Sequence, residues 1–464
     1  MDLTKELLTE TLINKGQGQG LDPTLRDRVV NSIYARAEVI TQRTVQVGKR
    51  GGANWDKALD DLLTSRWFGF PIMLSLLAII FWLTVAGANV PSGMLADMFS
   101  YLERKLVTIF VALEAPWWLQ GILVEGVFRT LGWVVAVMLP PMMIFFPLFT
   151  MLEDFGYLPR VAFNVDRLFQ KAGTHGKQAL TMSMGFGCNA AGVVSTRIIE
   201  SPRERLIATV TNSFVPCNGR FPLLITLSMI FMGGLVAPTL DSLVATGTVV
   251  GLVVFGISMT LLVSWVLSKT MLKGVSSSFI LELPPYRKPN FWRIIVRSIQ
   301  ERTLFVLGRA VVIAAPAGAV IWLAANITIG GTTILNHAAN FFQPFGQLLG
   351  MDGFIIMAFL LGLPANEIVL PLIIMSYLSS GALIELDSLE ALRNLLVANG
   401  WSWITALNVM IFSLLHFPCG TTLWTIKKET GSLKWSVVAF LIPTLAGIVI
   451  TFLIAQGARV LGVL

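Results

Sequence analysis

The chain contains little charge and few of the side chains on which most enzymes depend. Only 13% of its 464 residues are charged, whereas soluble domains carry about 25%. It has three cysteines and three histidines, too few for a disulfide scaffold. HExxH and GxSxG motifs are absent as well, so a membrane-embedded enzyme is a poorly supported alternative. A mean hydropathy of +0.73 predicts an integral membrane protein instead.

The net charge of +7 does not indicate a nucleic-acid partner. Residues 1–65 hold nine basic and nine acidic residues, so the excess belongs to the apolar part of the chain. In a membrane protein, an excess of Lys and Arg reports which loops face the cytosol. We therefore expect no nucleic-acid binding and use the basic residues to predict orientation.

Apolar stretches of about 20 residues predict membrane-spanning helices. Three such stretches contain breaks. Trp403–Ile426 spans the membrane with a break at Pro418, whereas Ala179–Ile199 and Phe354–Leu378 fit hairpins that enter and leave the membrane on one side. The unbroken candidates are Trp67–Ala86, Gly126–Met151, Leu206–Gly233, Val244–Leu267, Thr303–Ile327 and Lys434–Ala455.

Two short motifs recur inside these apolar stretches. Residues 185–189 (GFGCN) are echoed by 362–366 (GLPAN), and residues 214–218 (FVPCN) by 416–420 (HFPCG). Glycine, proline and asparagine break helices, and a membrane tolerates broken backbone only where it is buried in protein or lines a cavity. Matched breaks in two halves of a chain are typical of transporters built from repeats, with the substrate site between the repeats.

Counting Lys and Arg predicts the topology. With the N-terminus in the cytosol, the inward-facing stretches carry 17 basic residues and the outward-facing ones 3. The two repeats then have opposite orientations. We predict an all-α polytopic membrane protein with two inverted-topology gate repeats, re-entrant hairpins and one extra N-terminal transmembrane helix. The predicted units are a cytosolic helical arm (1–65), a first transmembrane helix with an external segment (66–125), gate repeat 1 (126–269), a cytosolic linker with an interfacial helix (270–302) and gate repeat 2 (303–464).

The side chains at the breaks are the candidate metal ligands. Thiolates combined with oxygen donors suit a borderline divalent cation, and a carboxylate at membrane depth needs a partner or a cation. Simpler roles stay open. A buried cysteine can be a small hydrophobe, and an asparagine can cap a helix. Arg220 is expected to form a salt bridge with Glu200, Glu204 or Glu367. The candidate ligands are Cys188, Cys217, Cys419, Asn189, Asn366 and Glu367.

Further motifs resemble the membrane domain of the ferrous iron transport protein B (FeoB) family. The resemblance rests on residues 156–163 (GYLPRVAF), 185–189, 212–222 and 429–435, in the family's order. It implies a permease for Fe2+ in the cytoplasmic membrane. The chain departs from the family in having Asn366 where a lysine usually precedes the glutamate.

Energy coupling is the second departure. Family members usually begin with a GTP-binding domain, but no Gly-x-x-x-x-Gly-Lys-Ser/Thr loop occurs in the 464 residues of this sequence. We therefore expect no GTP site in this chain and a separate GTPase that docks on the arm and on the basic stretch Arg287–Arg302. Homo-oligomerisation is also open. The alternatives for function are transport of Mn2+ or Zn2+, transport of a nucleoside-type substrate, and a non-transporting membrane subunit.

Overall fold

The computed structural model confirms an all-α polytopic membrane protein. It describes residues 55–65, 67–235, 241–273, 290–384 and 388–462, together with Tyr286, Leu386 and parts of 32–44. A two-stranded antiparallel ribbon pairs β1 (Thr328–Ile329) with β2 (Thr332–Thr333). The helices are α1 (Trp55–Leu63), α2 (Gly69–Ala112), α3 (Trp117–Phe155), α4 (Tyr157–Lys171), α5 (Lys177–Gly187), α6 (Asn189–Ser195), α7 (Pro202–Thr211), α8 (Phe221–Met232), α9 (Asp241–Lys269), α10 (Phe291–Asn326), α11 (Ile334–Leu348), α12 (Gly353–Leu361), α13 (Asn366–Leu378), α14 (Leu389–Ala398), α15 (Trp403–Leu415), α16 (Gly420–Thr430) and α17 (Leu433–Val460).

Within the described residues, six segments are long and apolar enough to cross a membrane. They are α2, α3, α9, α10, α17 and the broken segment formed by α15 and α16. Helices α11 and α12 form a bent pair with an angle of 111° and would make a seventh. The chain is therefore a multi-pass membrane protein.

The first span is longer than the sequence predicts. We expect it to end at Ala86, but α2 continues through Pro91 to Ala112 and is 44 residues long, or about 66 Å. A proline removes only one helical hydrogen bond, and the helix is supported beyond it by packing against α3. Arg129 of α3 and Glu103 of α2 form an ion pair at 2.5 Å in this outer part. Tertiary packing therefore outweighs the local breaker.

The predicted continuous span Leu206–Gly233 is wrong, because the chain is broken in its middle. Helix α7 ends at Thr211, a short 3-10 turn follows over Asn212–Phe214, and α8 begins only at Phe221. Pro216 lacks a backbone N–H and so cannot continue the helical ladder. The motif at residues 214–218 thus breaks the helix, as its composition predicts.

The two predicted hairpins are present as pairs of short helices. Helices α5 and α6 meet at Cys188, whose backbone is extended with φ −155° and ψ 125°. Helices α12 and α13 are separated by residues 362–365. Helix α10 begins with the exposed aromatic residues Phe291 and Trp292 and continues to Asn326. The predicted interfacial helix is therefore not separate from the span predicted at Thr303–Ile327. Most of the predicted arm and much of the linker lie outside the described residues.

Candidate metal-ion site

In each repeat, the hairpin break is joined to the second break by a backbone hydrogen bond. In repeat 1, the Asn218 N–H donates to the Gly187 carbonyl at 3.4 Å. In repeat 2, the Gly420 N–H donates to the Leu363 carbonyl at 2.6 Å. These bonds satisfy backbone groups that the interrupted helices leave without helical partners. In both halves of the chain, the last residue of the second motif therefore contacts the backbone of the first motif.

All four breaks surround one cavity. Its lining includes the six predicted ligands Cys188, Asn189, Cys217, Asn366, Glu367 and Cys419. The centre of a water-sized sphere can occupy about 20 Å³ of it, which is enough for one water molecule or one ion. Pockets for small organic ligands are usually about 300–1,000 Å³. The cavity therefore fits an ion and is too small for a nucleoside.

Glu367 connects the two halves of the cavity wall. It follows the break in repeat 2, and its carboxylate lies directly against the backbone of Gly219 in repeat 1. A Cβ atom at position 219 would overlap the Glu367 Oε1 atom. A larger residue at position 219 would displace this carboxylate, because it approaches the backbone so closely. The structure thus places an acidic group of one repeat on the broken segment of the other.

Two polar side chains on the cavity wall have no hydrogen-bond partner among the described residues. Asn366 is 6% exposed and Thr421 3% exposed, yet neither polar atom of the Asn366 amide is bonded, nor is the Thr421 hydroxyl. A buried polar group without a partner costs about 1–3 kcal/mol. Their oxygens are therefore free to coordinate a cation or to accept a hydrogen bond from its bound water. Thr421 is not among the ligands predicted from the sequence, where its only signal is a hydroxyl in the first helical turn after the Pro418 break.

Asn189 has a bracing role that its sequence position leaves open. Its amide faces the carbonyls of Gly185, Asn212 and Val215 at 3.2–3.3 Å, so the nitrogen must point towards them. The Asn212 amide in turn donates to the Asn189 carbonyl at 3.1 Å. Asn189 therefore stabilises the first hairpin break while it lines the cavity.

The three cysteines are free thiols on the cavity wall. Cys188 and Cys217 are buried, whereas Cys419 is partly buried with its Sγ 3.3 Å from the Thr422 hydroxyl. Across the described residues, no group of three or more Cys, His, Asp or Glu side chains is arranged to hold an ion. An ion in this cavity would consequently need amide or hydroxyl oxygens as further ligands, or small side-chain movements.

His416 lies outside the cavity lining. Its Nδ1 atom faces the carbonyls of Phe412 and Ser413 at 3.1 and 2.8 Å. The ring packs between Phe359 and Phe417, with centroids 4.9 Å away in both cases. His416 is therefore a hydrogen-bonded residue at the C-terminal end of α15.

Two family models match the chain. The model described as "Gate: Nucleoside recognition" matches residues 135–231 and 307–433. The model described as "Ferrous iron transport protein B C terminus" matches residues 249–300. The first match covers both pairs of breaks, one pair in each matched stretch. No solved structure is significantly similar to the chain.

Several curated relatives are similar over most of the chain. The Fe(2+) transporter FeoB of Staphylococcus aureus strain MSSA476 is 31% identical over 90% of this chain, which spans 61% of that relative. The strain COL protein is 31% identical over 98% of the chain and 68% of its own length. The Campylobacter jejuni protein of the same name is 25% identical over 89% of the chain. The chain therefore belongs to the FeoB family.

Proposed function

We propose that this chain is a permease that carries Fe2+ across the cytoplasmic membrane, with its N-terminus in the cytosol. One observation carries the proposal: four helix breaks from two repeats meet at a single ion-sized cavity lined by three thiols and a carboxylate. Relatives named Fe(2+) transporter support the choice of ion. The same cavity size argues against a nucleoside substrate.

The donor types on the wall favour a borderline cation. Thiolates suit Fe2+ and Zn2+, whereas Mn2+ prefers oxygen ligands. Amide, hydroxyl and carboxylate oxygens from Asn366, Thr421 and Glu367 complete a mixed set. A site made of thiolates alone would hold Zn2+ very tightly, and a carrier must release its ion. Mixed donors therefore fit transient binding of Fe2+ better than permanent storage.

Uptake into proteoliposomes tests this proposal. Purified protein is reconstituted, and uptake of Fe2+, Mn2+ and Zn2+ is followed under anaerobic, reducing conditions. We expect Fe2+ to be preferred and the Cys188→Ser/Cys217→Ser variant to lose most of the uptake. Met182→Leu is the matched control, because Met182 is buried on the same hairpin but does not line the cavity. Equal uptake by the double variant and the control would contradict a role for the thiols.

We further propose that a GTPase outside these 464 residues regulates the permease through the arm. The end of the arm, α1, is attached to α4 by a cluster around the buried Arg160. Its guanidinium bonds to Asp60 of α1 at 2.9 Å and lies 4.1 Å from the centre of the Tyr286 ring. The Tyr286 hydroxyl donates to Asp60 at 2.8 Å. Because α4 leads directly into the first hairpin, a force on the arm would reach Cys188 through this cluster.

The electrostatics of this cluster suit a permanent attachment. Burial alone would raise the pKa of Asp60, but hydrogen bonds from Arg160 and Tyr286 outweigh it and lower the pKa below 3.8. Burial and the hydrogen bond to Asp60 raise the pKa of Tyr286 to about 12. Both groups therefore keep their bonding form across the physiological range.

A photo-reactive GTP analogue, applied to native membranes before purification, tests the partnership. We expect a labelled GTPase to co-purify with the chain and GTP to change the rate of Fe2+ uptake. Asp60→Asn should weaken this nucleotide response, whereas Asp61→Asn, its exposed neighbour, should not. Uptake that is independent of nucleotide in native membrane vesicles would contradict the regulatory role.

A further inference from the structure

The guanidinium of Arg220 is buried where the second breaks of the two repeats meet. Arg220 is 1% exposed, and within the described residues it forms no ion pair, so the predicted salt bridge with Glu200, Glu204 or Glu367 is wrong. Its nitrogens donate instead to four backbone carbonyls. We propose that Arg220 is a positioning residue that fastens the two breaks together and thereby sets the separation of Cys217 and Cys419. This inference rests on the proposed ion site.

The four bonds cross from one repeat to the other. The Nη1 atom donates to the carbonyls of Ser213 at 2.9 Å and Leu414 at 2.8 Å. The Nη2 atom donates to the carbonyls of His416 at 3.1 Å and Phe417 at 3.2 Å. Ser213 belongs to repeat 1, and the other three acceptors belong to repeat 2. One side chain therefore holds both broken segments.

These carbonyls need an outside donor because of the sequence around them. In a continuous helix the Leu414 carbonyl would accept from the residue four positions later, but that residue is Pro418, which has no N–H. The His416 carbonyl would accept from Gly420, whose N–H donates to Leu363 instead. The breaks thus create free acceptors in the protein interior, where leaving them unpaired would be costly. Arg220 satisfies them from the other repeat.

The position of Arg220 in the chain links these bonds to the cavity. Its own backbone N–H donates to the Cys217 carbonyl at 2.9 Å. The segment that its guanidinium holds leads directly into Cys419. Cys217, Cys419 and Glu367 are all close enough to interact electrostatically with the guanidinium. A shift of Arg220 would therefore move cavity residues of both repeats relative to each other.

Lysine cannot replace this arginine. A guanidinium offers five N–H donors in a rigid plane, whereas an ammonium offers three from a single point. Arg220→Lys would keep the positive charge but could not bond both pairs of carbonyls in the same geometry. The variant therefore separates the loss of positioning from the loss of charge.

The test combines ion binding with transport. Purified variants in detergent are titrated with Co2+, whose thiolate charge-transfer absorption reports sulfur ligation, and Fe2+ uptake is measured in proteoliposomes. We expect Arg220→Lys to lose most of the thiolate band and to raise the KM for uptake about 10-fold, the size of effect seen when groups supporting metal ligands are removed. The matched control is Arg309→Lys, since Arg309 bonds to a single hydroxyl, that of Thr425, at 2.8 Å. It should keep the band and the KM.

A folded Arg220→Lys protein with the band and KM of the wild type would overturn the proposal. If that variant does not accumulate, Arg220→Gln decides, because a carboxamide has one nitrogen and cannot bond both pairs of carbonyls. We expect this variant to lose part of the band, and an unchanged band would overturn the proposal. Failure of the proposed function is distinguishable, because the wild-type protein would then show neither a thiolate band nor Fe2+ uptake.

Discussion

Replacing Gly219 with alanine tests whether Glu367 takes part in ion binding. A Cβ atom at position 219 would overlap the Glu367 carboxylate, so the side chain must swing out of the cavity or the break must shift. Overpacking a protein interior costs about 1–3 kcal/mol, and the lower end applies because the overlapping atom ends a flexible side chain. We expect the protein to fold, with the KM for Fe2+ uptake raised about 10-fold by loss of the carboxylate.

The matched control is Gly420→Ala, at the equivalent break of repeat 2. A Cβ atom there would meet Ile313 at 3.2 Å and no acidic group, so uptake should stay near that of the wild type. A double-mutant cycle sharpens the test. If Gly219→Ala acts by displacing Glu367, it should have no further effect in a Glu367→Ala background. A wild-type KM for Gly219→Ala, or fully additive effects in the cycle, would show that Glu367 does not take part in ion binding through its contact with Gly219.

Three further predictions concern other parts of the molecule. Asp60→Asn should destabilise the protein by about 2 kcal/mol in thermal unfolding, because it removes the charge that pairs with Arg160, while Asp61→Asn should have no effect. Because the pKa of Asp60 is lowered, its contribution to stability is lost only below about pH 4. The stability of the wild-type protein should therefore not change between pH 5 and 8 through this cluster. A steep change in that range would contradict the ion pair between Asp60 and Arg160. Cysteines introduced at Lys177 and Asp387 should react with an impermeant thiol probe only from the cytosol and only from outside, respectively; labelling of both from one side would contradict the inverted topology.

The helix breaks could be predicted from sequence because their cause is local. Proline at residues 216, 364 and 418 lacks the backbone N–H that a continuous helix needs at that position. The helix lengths could not be predicted in the same way, because α2 passes through Pro91 with the support of α3. Residues 206–233 form one apolar stretch by composition, but Pro216 lies between two separate helices.

The candidate ligands could be predicted because cysteine, asparagine and glutamate are unusual at helix breaks in a membrane. Thr421 could not, since threonine is common in such helices and is distinguished only by its unbonded hydroxyl. The hydrogen-bond partners of Arg220 could not be predicted from the sequence either. A charge in an apolar stretch predicts an ion pair, whereas the actual partners of Arg220 are carbonyls, three of which belong to the distant break around Pro418.

The most direct test of the ion site is X-ray absorption at the iron K-edge of the purified protein loaded anaerobically with one equivalent of Fe2+. We expect a mixed shell of sulfur and oxygen scatterers around the iron. The sulfur contribution should fall in the Cys188→Ser/Cys217→Ser variant and persist in the Met182→Leu control. A shell of oxygen and nitrogen alone, identical in all three proteins, would contradict the claim that Fe2+ binds between the four helix breaks through their thiols.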